Sequence, residues 1–268
     1  GIEMTKIALF GAGGKMGRTL SAALKDREYD MRYVEISESG IEVLKQLGLS
    51  VTKAEEAIAD ADAVIFAVPD VLLGRITHDV VPQLPPRATV ILLDVAAALA
   101  GALYIRDDLA YFFMHPCHHN ILARKRSGQH VVCALMQGSE DDYALGEKIA
   151  RDIYAPVIKT HRLTIEQMGL LEPALSETVA NACVSLIHDA TDEVIRQGVP
   201  KEAVEEFVLG HLTSLGYFFG GRGFLSDGAI LTMKTGRKHL FKSDWRKLLT
   251  PESVVEQSKA IIAGESMD

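Results

Sequence analysis

The stretch Lys6-Ile7-Ala8-Leu9-Phe10-Gly11-Ala12-Gly13-Gly14-Lys15-Met16-Gly17-Arg18 decides how the first half of this chain is read. A short apolar run feeds a glycine-crowded turn, and a helix-compatible segment begins at Met16. Glycines let the backbone turn tightly and approach a pyrophosphate, while the free N–H groups of the following helix attract the anion. The spacing departs from G-x-G-x-x-G, because the sixth position is Met16 and the last glycine is Gly17. Context supplies what glycines alone do not. A second apolar run, 31–35, ends in Glu35 roughly 20 residues beyond the loop, where a ribose-binding carboxylate belongs. The competing reading is an ordinary glycine-rich βα turn with a chance acid. Dinucleotide binding accounts for more, with Gly11, Ala12, Gly13, Gly14, Lys15 and Met16 as the cradle. Glu35 then selects NAD, since a carboxylate repels the 2′-phosphate of NADP.

Outward from that loop, β-branched and apolar runs alternate with helical stretches. Strands are expected at 6–10, 31–35, 63–68, 89–94, 111–114, 130–136 and 157–159, and helices at 17–26, 40–48, 54–59 and 141–154. Such alternation predicts a doubly wound, mostly parallel sheet. Ligands of these sheets sit beyond the carboxyl ends of the strands. The chain places Gly11, Glu35, Val68-Pro69-Asp70, Asp94 and His115-Pro116 there, and Val68, Pro69 and Asp70 complete the expected cofactor set.

After His161 the pattern turns helical. Thr164-Ile165-Glu166-Gln167 has the form of a capping box, and a helical pattern runs to about 197, where Gly198 and Pro200 stop it. Pro173 should kink this helix or start it afresh. Further helices are expected at 201–217 and 251–263, separated by the turn Gly220-Gly221-Arg222-Gly223. The predicted fold is therefore α/β: a Rossmann-type sheet over 1–161, then an all-helical domain over 162–268 built on one long helix.

The 268 residues are 48% hydrophobic and 24% charged, enough for a substantial core and unlike a disordered chain. A net charge of −8 argues against nucleic acid or an anionic membrane as partner. No apolar run approaches the roughly 20 residues that cross a bilayer, and no leader precedes the first strand. Cys117, Cys133 and Cys183 are widely spaced and odd in number, which points to a reducing, cytoplasmic setting, with two buried thiols and Cys117 open.

Candidate chemistry falls in three places. At about 100° per residue, Glu177, Asn181, Ser185, His188 and Asp192 share one stripe of the long helix, opposite Leu175, Val179, Ala182 and Leu186. A solvated face is the simple reading. The small residues Ala174, Ala180 and Ala182 suggest packing all round, in which case Glu177 and Asn181 point inward to bind something. Next, the aromatic run 111–114 delivers His115, His118 and His119 to the ligand edge, and His115 is placed to face a nicotinamide. A histidine with one or two carboxylates would suit a divalent ion of the Mg2+ or Zn2+ class, held by His115 and Glu177. Glu172 stands about 140° round an α-helix from Glu177, so it joins them only if Pro173 breaks the helix. Finally, Arg222, Ser226, Asp227, Lys234, Arg237, His239 and Lys242 suit polyols and carboxylates, or are simply solvated.

Together the glycine loop, the run Ala63-Val64-Ile65-Phe66-Ala67-Val68-Pro69 and the helical second half resemble the 6-phosphogluconate dehydrogenase superfamily over nearly the whole chain. In its β-hydroxyacid dehydrogenase branch the long helix carries a lysine followed four residues on by an asparagine. The matching pair here is Glu177 and Asn181, so the lysine is absent. A carboxylate there is similar to ketol-acid reductoisomerases, which hold divalent metal on acids of this helix. The resemblance implies NAD-dependent oxidation at C2 of a branched 2,3-dihydroxy sugar acid of the D-apionate type. Metal-assisted ketol isomerisation to a 3-oxo acid would follow, with His115, Glu177 and Asn181 as catalytic residues. It also implies a homodimer. The main alternative is a metal-independent, NAD-dependent 3-hydroxyacid or semialdehyde dehydrogenase. The loop also resembles that of dihydrodipicolinate reductases, whose second domain is not helical. A non-catalytic NAD sensor would have no use for the Glu177 and Asn181 stripe.

Overall fold

The computed structural model describes residues 2–118, 128–219 and 225–265. All seven expected runs form strands: β1 (Thr5–Phe10), β2 (Tyr29–Val34), β3 (Ala63–Phe66), β4 (Thr89–Leu92), β5 (Ala110–Pro116), β6 (Gln129–Gln137) and β7 (Val157–Arg162). They make one sheet in the order β2-β1-β3-β4-β5-β6-β7. Every neighbouring pair is parallel except β5 and β6, which run antiparallel. The order reverses at β1, so a crevice opens beyond the ends of β1 and β3, where ligands of such sheets bind.

Burial on both faces explains why the central strands are continuous apolar runs. Ala8, Phe10, Val64, Phe66, Val90, Leu92, Tyr111 and Phe113 pack to one side, and Ile7, Leu9, Ile65, Ile91, Phe112 and Met114 to the other. On the second side lie α1 (Gly17–Leu24), α2 (Glu38–Gln46) and α6 (Glu140–Ile153), through Leu20, Leu24, Leu44, Ile149 and Ile153. Opposite them lie α3 (Ala54–Ile58), α4 (Asp70–Val80), α5 (Ala96–Leu99) and the start of α7 (Ile165–Arg196), through Ile58, Leu73, Ala97 and Met168. Helices α4 and α5 were not expected from sequence.

Two compact units are present, Gly1–Pro173 with Pro251–Asp268, and Ala174–Thr250. The division does not fall at 161/162. It lies inside α7, and α10 (Pro251–Ala263) returns to the first unit, packed on α4 and α5 with Val254 buried. Apolar complementarity, not order along the chain, sets that boundary. The second unit holds the rest of α7, α8 (Lys201–Phe219), which packs against it, and α9 (Asp227–Leu240).

The expected capping box forms: Thr164 accepts from the Gln167 amide at 3.1 Å, and Gln167 accepts from that of Thr164 at 2.9 Å. Pro173 neither splits nor restarts the helix. Leu170–Ala180 is wound as a π-helix, which accommodates a residue lacking an N–H, and α-helical geometry resumes at Asn181. At 32 residues α7 is also long and apolar enough, by composition, to cross a bilayer, contrary to expectation. Its apolar residues are interspersed with small ones and acids rather than gathered in a run.

Candidate active site

The nucleotide edge is built by close backbone approach. Gly11 sits at φ +71°, and a Cβ there would lie 2.3 Å from the Ala67 carbonyl oxygen at the end of β3. At Gly13 a Cβ would lie 2.0 Å from the carbonyl oxygen of Gly40 in α2. Glu35 ties these parts together. Its Oε1 accepts from the Gly13 amide at 3.0 Å, and its Oε2 from those of Ile36 and Ser37 at 2.9 and 3.2 Å. The expected ribose carboxylate thus also organises the loop. Arg18 closes the turn from outside, donating to the carbonyls of Gly14 (3.1 Å) and Gly13 (3.3 Å), and buried Ser21 donates to that of Ala12 at 2.8 Å. Helix α1 begins without a side-chain cap and without an acid in its first turn, so its N-terminus is left for an anion. Lys15 and Met16 are exposed on this loop, Val68 and Asp70 half-buried at the end of β3, and Pro69 exposed between them.

Beside that edge stands His115, the penultimate residue of β5. Its Nδ1 lies 2.9 Å from the Leu93 carbonyl oxygen and its Nε2 2.7 Å from Glu172 Oε2. Both partners are acceptors, so this pairing favours the protonated ring over the neutral one. Burial opposes that charge, but the hydrogen bond and charge of Glu172, the Leu93 carbonyl and the charge of Asp94 outweigh it and raise the pKa. The His115 side chain is 36% exposed and that of Glu172 23%, so the pair is open to a substrate.

Asp94 and Asp70 follow the next two strands inward. Burial first, then the hydrogen bond and charge of Asp70, push the Asp94 carboxyl well above the usual carboxylate range; the charge of Glu172 adds to this and the Ala96 amide opposes it. Two carboxyls this close favour a shared proton, and burial raises the Asp94 side of the pair. Sequence reading marked both strand ends but gave Asp94 no role, because its partner lies 24 positions away.

The residues expected on the long helix behave differently. Glu177 and Asn181 belong to the second unit and are exposed, as are Ser185, His188 and Asp192. Packing all round is not found in this chain. The apolar side is uncovered too, with Leu175 50% and Val184 53% exposed. The stripe arithmetic fails over Leu170–Ala180, since a π-helix with its i→i+5 bonds takes more residues per turn than the α-helix assumed. Glu172, read as a conditional ligand, is the carboxylate that meets His115. Ser226 caps α9 by accepting from the Ala229 amide at 3.2 Å, and Lys234, Arg237, His239 and Lys242 are exposed. Arg222 and His119 lie outside the described residues. Of the thiols, Cys133 is buried, Cys183 half-buried and Cys117 exposed.

Leu93 and Glu172 occupy the two nitrogens of His115, so a divalent ion bound through Nε2 would have to displace Glu172. Among the described residues no three His, Cys, Asp or Glu side chains are grouped to hold a metal.

Comparison with known proteins places these features in a family. Residues 1–110 match the acetohydroxy acid isomeroreductase NADPH-binding domain, and 121–262 the C-terminal domain of phosphogluconate dehydrogenase (decarboxylating). The D-apionate oxidoisomerase of Rhizobium rhizogenes is 43% identical over 96% of this chain and 100% of its own length; that of Cupriavidus necator is 42% identical over 96% and 99%. A crystal structure described as a semialdehyde dehydrogenase NAD-binding protein from Cupriavidus necator, in complex with calcium and NAD, superposes with a TM-score of 0.90 at 42% identity, covering 97% of this chain and all of that one. Its loop, its sheet and these end-to-end matches agree: the chain belongs to the D-apionate oxidoisomerase family of the 6-phosphogluconate dehydrogenase superfamily.

Proposed function

We propose that this NAD-dependent oxidoreductase oxidises D-apionate, or a closely similar branched 2,3-dihydroxy acid, at C2 and then isomerises the product. The observation that carries this reading is the His115–Glu172 pair, held at 2.7 Å on the same sheet edge as a glycine loop suited to a dinucleotide. NAD supplies hydride acceptance when bound, and the chain's own residues handle the protons. Neutral His115 takes the C2 hydroxyl proton as hydride leaves C2, giving a 2-oxo-3-hydroxy acid and NADH. Glu172 then takes the C3 hydroxyl proton while a hydroxymethyl group moves with its bonding pair from C3 to C2. The imidazolium of His115 returns its proton to the C2 oxygen. The product is a 3-oxo acid, and Glu172 passes its proton to water. Every proton removed has a named acceptor.

Glu35 favours NAD over NADP. The semialdehyde reading draws on the description of the Cupriavidus structure, but that chemistry needs a thiolate, and partial desolvation of the otherwise exposed Cys117 raises its thiol instead. Absorbance at 340 nm with NAD and D-apionate tests the proposal, with and without a chelator. NADH formation together with a 3-oxo acid supports it. NADH formation with only the 2-oxo acid leaves a simple dehydrogenase. Loss of both steps on chelation would show that a metal ion enters where His115 and Glu172 are paired here.

A further inference from the structure

The role of His115 depends on its ring being held in one orientation, and one end of that ring rests on a backbone carbonyl rather than on a side chain. Leu93 belongs to the short turn that leads from β4 into α5, and its carbonyl oxygen accepts from His115 Nδ1 at 2.9 Å. The next residue is Asp94. Its Oδ1 accepts from the amide of Ala96, the first residue of α5, at 3.1 Å, and its carboxyl also bonds to Asp70, the first residue of α4. One side chain therefore ties the turn after β4 to its own helix and to the turn after β3. Flanking Leu93 and Val95 are buried, 6% and 1% exposed, which leaves the turn little room once those bonds are made. We propose that Asp94 is the positioning residue for His115, fixing the Leu93 carbonyl against which the catalytic ring is aligned.

This inference rests on the reading of His115 as the proton carrier, and it makes a chemical demand on Asp94. The side chain must bond to Asp70 and accept from the Ala96 amide at once. An asparagine has the same shape and can do both, through its NH2 and its carbonyl oxygen. Alanine can do neither. Serine can accept from the Ala96 amide but is too short to reach Asp70.

Asp94→Ala should therefore lower kcat by roughly 10²-fold, the cost of a catalytic group displaced by about an ångström, with KM for the acid little changed. Asp94→Asn should restore kcat to within a few-fold, and Asp94→Ser should fall between. The readout beyond turnover is the His115 Nδ1–H proton resonance of the whole enzyme. It should shift or vanish in Asp94→Ala and persist in Asp94→Asn. Unchanged kcat and resonance in Asp94→Ala would overturn the proposal, as would Asp94→Asn being as impaired as Asp94→Ala. If Asp94→Ala does not fold, the comparison of Asp94→Ser with Asp94→Asn decides the same point. If the wild-type enzyme does not oxidise D-apionate, the functional reading fails by itself, and the resonance still tests the positioning.

Discussion

The strand edge of the first unit and the helices of the second carry the same kinds of residues in opposite conditions. At the edge, Glu35, Asp94, His115 and Glu172 each meet a defined partner, and the ring of His115 is bonded at both ends. On the helices, Glu177, Asn181, Lys234 and Lys242 are exposed, and so are apolar residues such as Phe207 (67%) and Leu231 (65%). The edge is a preorganised site; the helix residues stand exposed in a single chain. The difference teaches that side-chain type alone ranks candidates poorly, and that geometry around them decides.

The largest expected effect separates the two regions directly. His115→Ala should reduce kcat/KM with D-apionate by roughly 10²–10⁴-fold, the usual range for losing a general acid–base group. Glu177→Gln should cost much less. Equal losses in steady-state assays would break the comparison and divide the chemistry between the units. Backbone packing gives the next contrast. Gly13→Ala puts a Cβ 2.0 Å from a backbone oxygen, so it should destabilise by about 1–3 kcal/mol, as overpacking does, and weaken NADH binding. Gly210→Ala, in α8 with nothing within 4 Å of its Cβ, should instead stabilise by roughly 0.5–1 kcal/mol through helix propensity. Urea titrations and NADH fluorescence measure both. Glu35→Ser removes the charge facing a 2′-phosphate and should move the NAD/NADP ratio of kcat/KM about tenfold toward NADP, or about 1.4 kcal/mol. Because Glu35 also accepts from three amides, binding of both cofactors should weaken. An unchanged ratio would leave Glu35 a purely structural residue.

How much of this was legible in the sequence follows the same divide. The central strands β1, β3, β4 and β5 could be read because each is an apolar or aromatic run buried on both faces, and the more exposed β2, β6 and β7 because β-branched or aromatic residues recur in them. The glycine loop and Glu35 could be read because their spacing is local. Helix α5 was missed because Ala96–Leu99 is too short to show a period, and α9 because glycines and charges there imitate a loop. Asp94 stood out as a strand end but had no legible role, because its meaning depends on Asp70, which only the sheet brings near. Glu172 was ranked below Glu177 by arithmetic for an α-helix, and the π-helical turns around Pro173 make that arithmetic inapplicable. The metal expected on His115 and Glu177 came from residue types and resemblance. The bond from His115 to Glu172 could not be read that way.

The smallest effect is the most specific. The pKa of His115 is raised in the folded protein, so its contribution to stability is fully present below the unfolded imidazole value, about 6.5. That contribution is lost as pH rises through the folded value. With the ring more than a third exposed, solvent screening should keep it at about 1 kcal/mol or less. Urea midpoints of wild type and His115→Gln should therefore differ at low pH and converge at high pH. Activity must run the other way, because the first step needs neutral His115. The acid limb of kcat/KM should titrate above the ordinary imidazole range, and Glu172→Gln should move it down. His188 of the second unit, 80% exposed and 4.0 Å from Asp192, serves as the control: His188→Gln should leave both curves in place. Opposite pH dependences of stability and turnover in one histidine, absent in the other, would tie the proton to the strand edge.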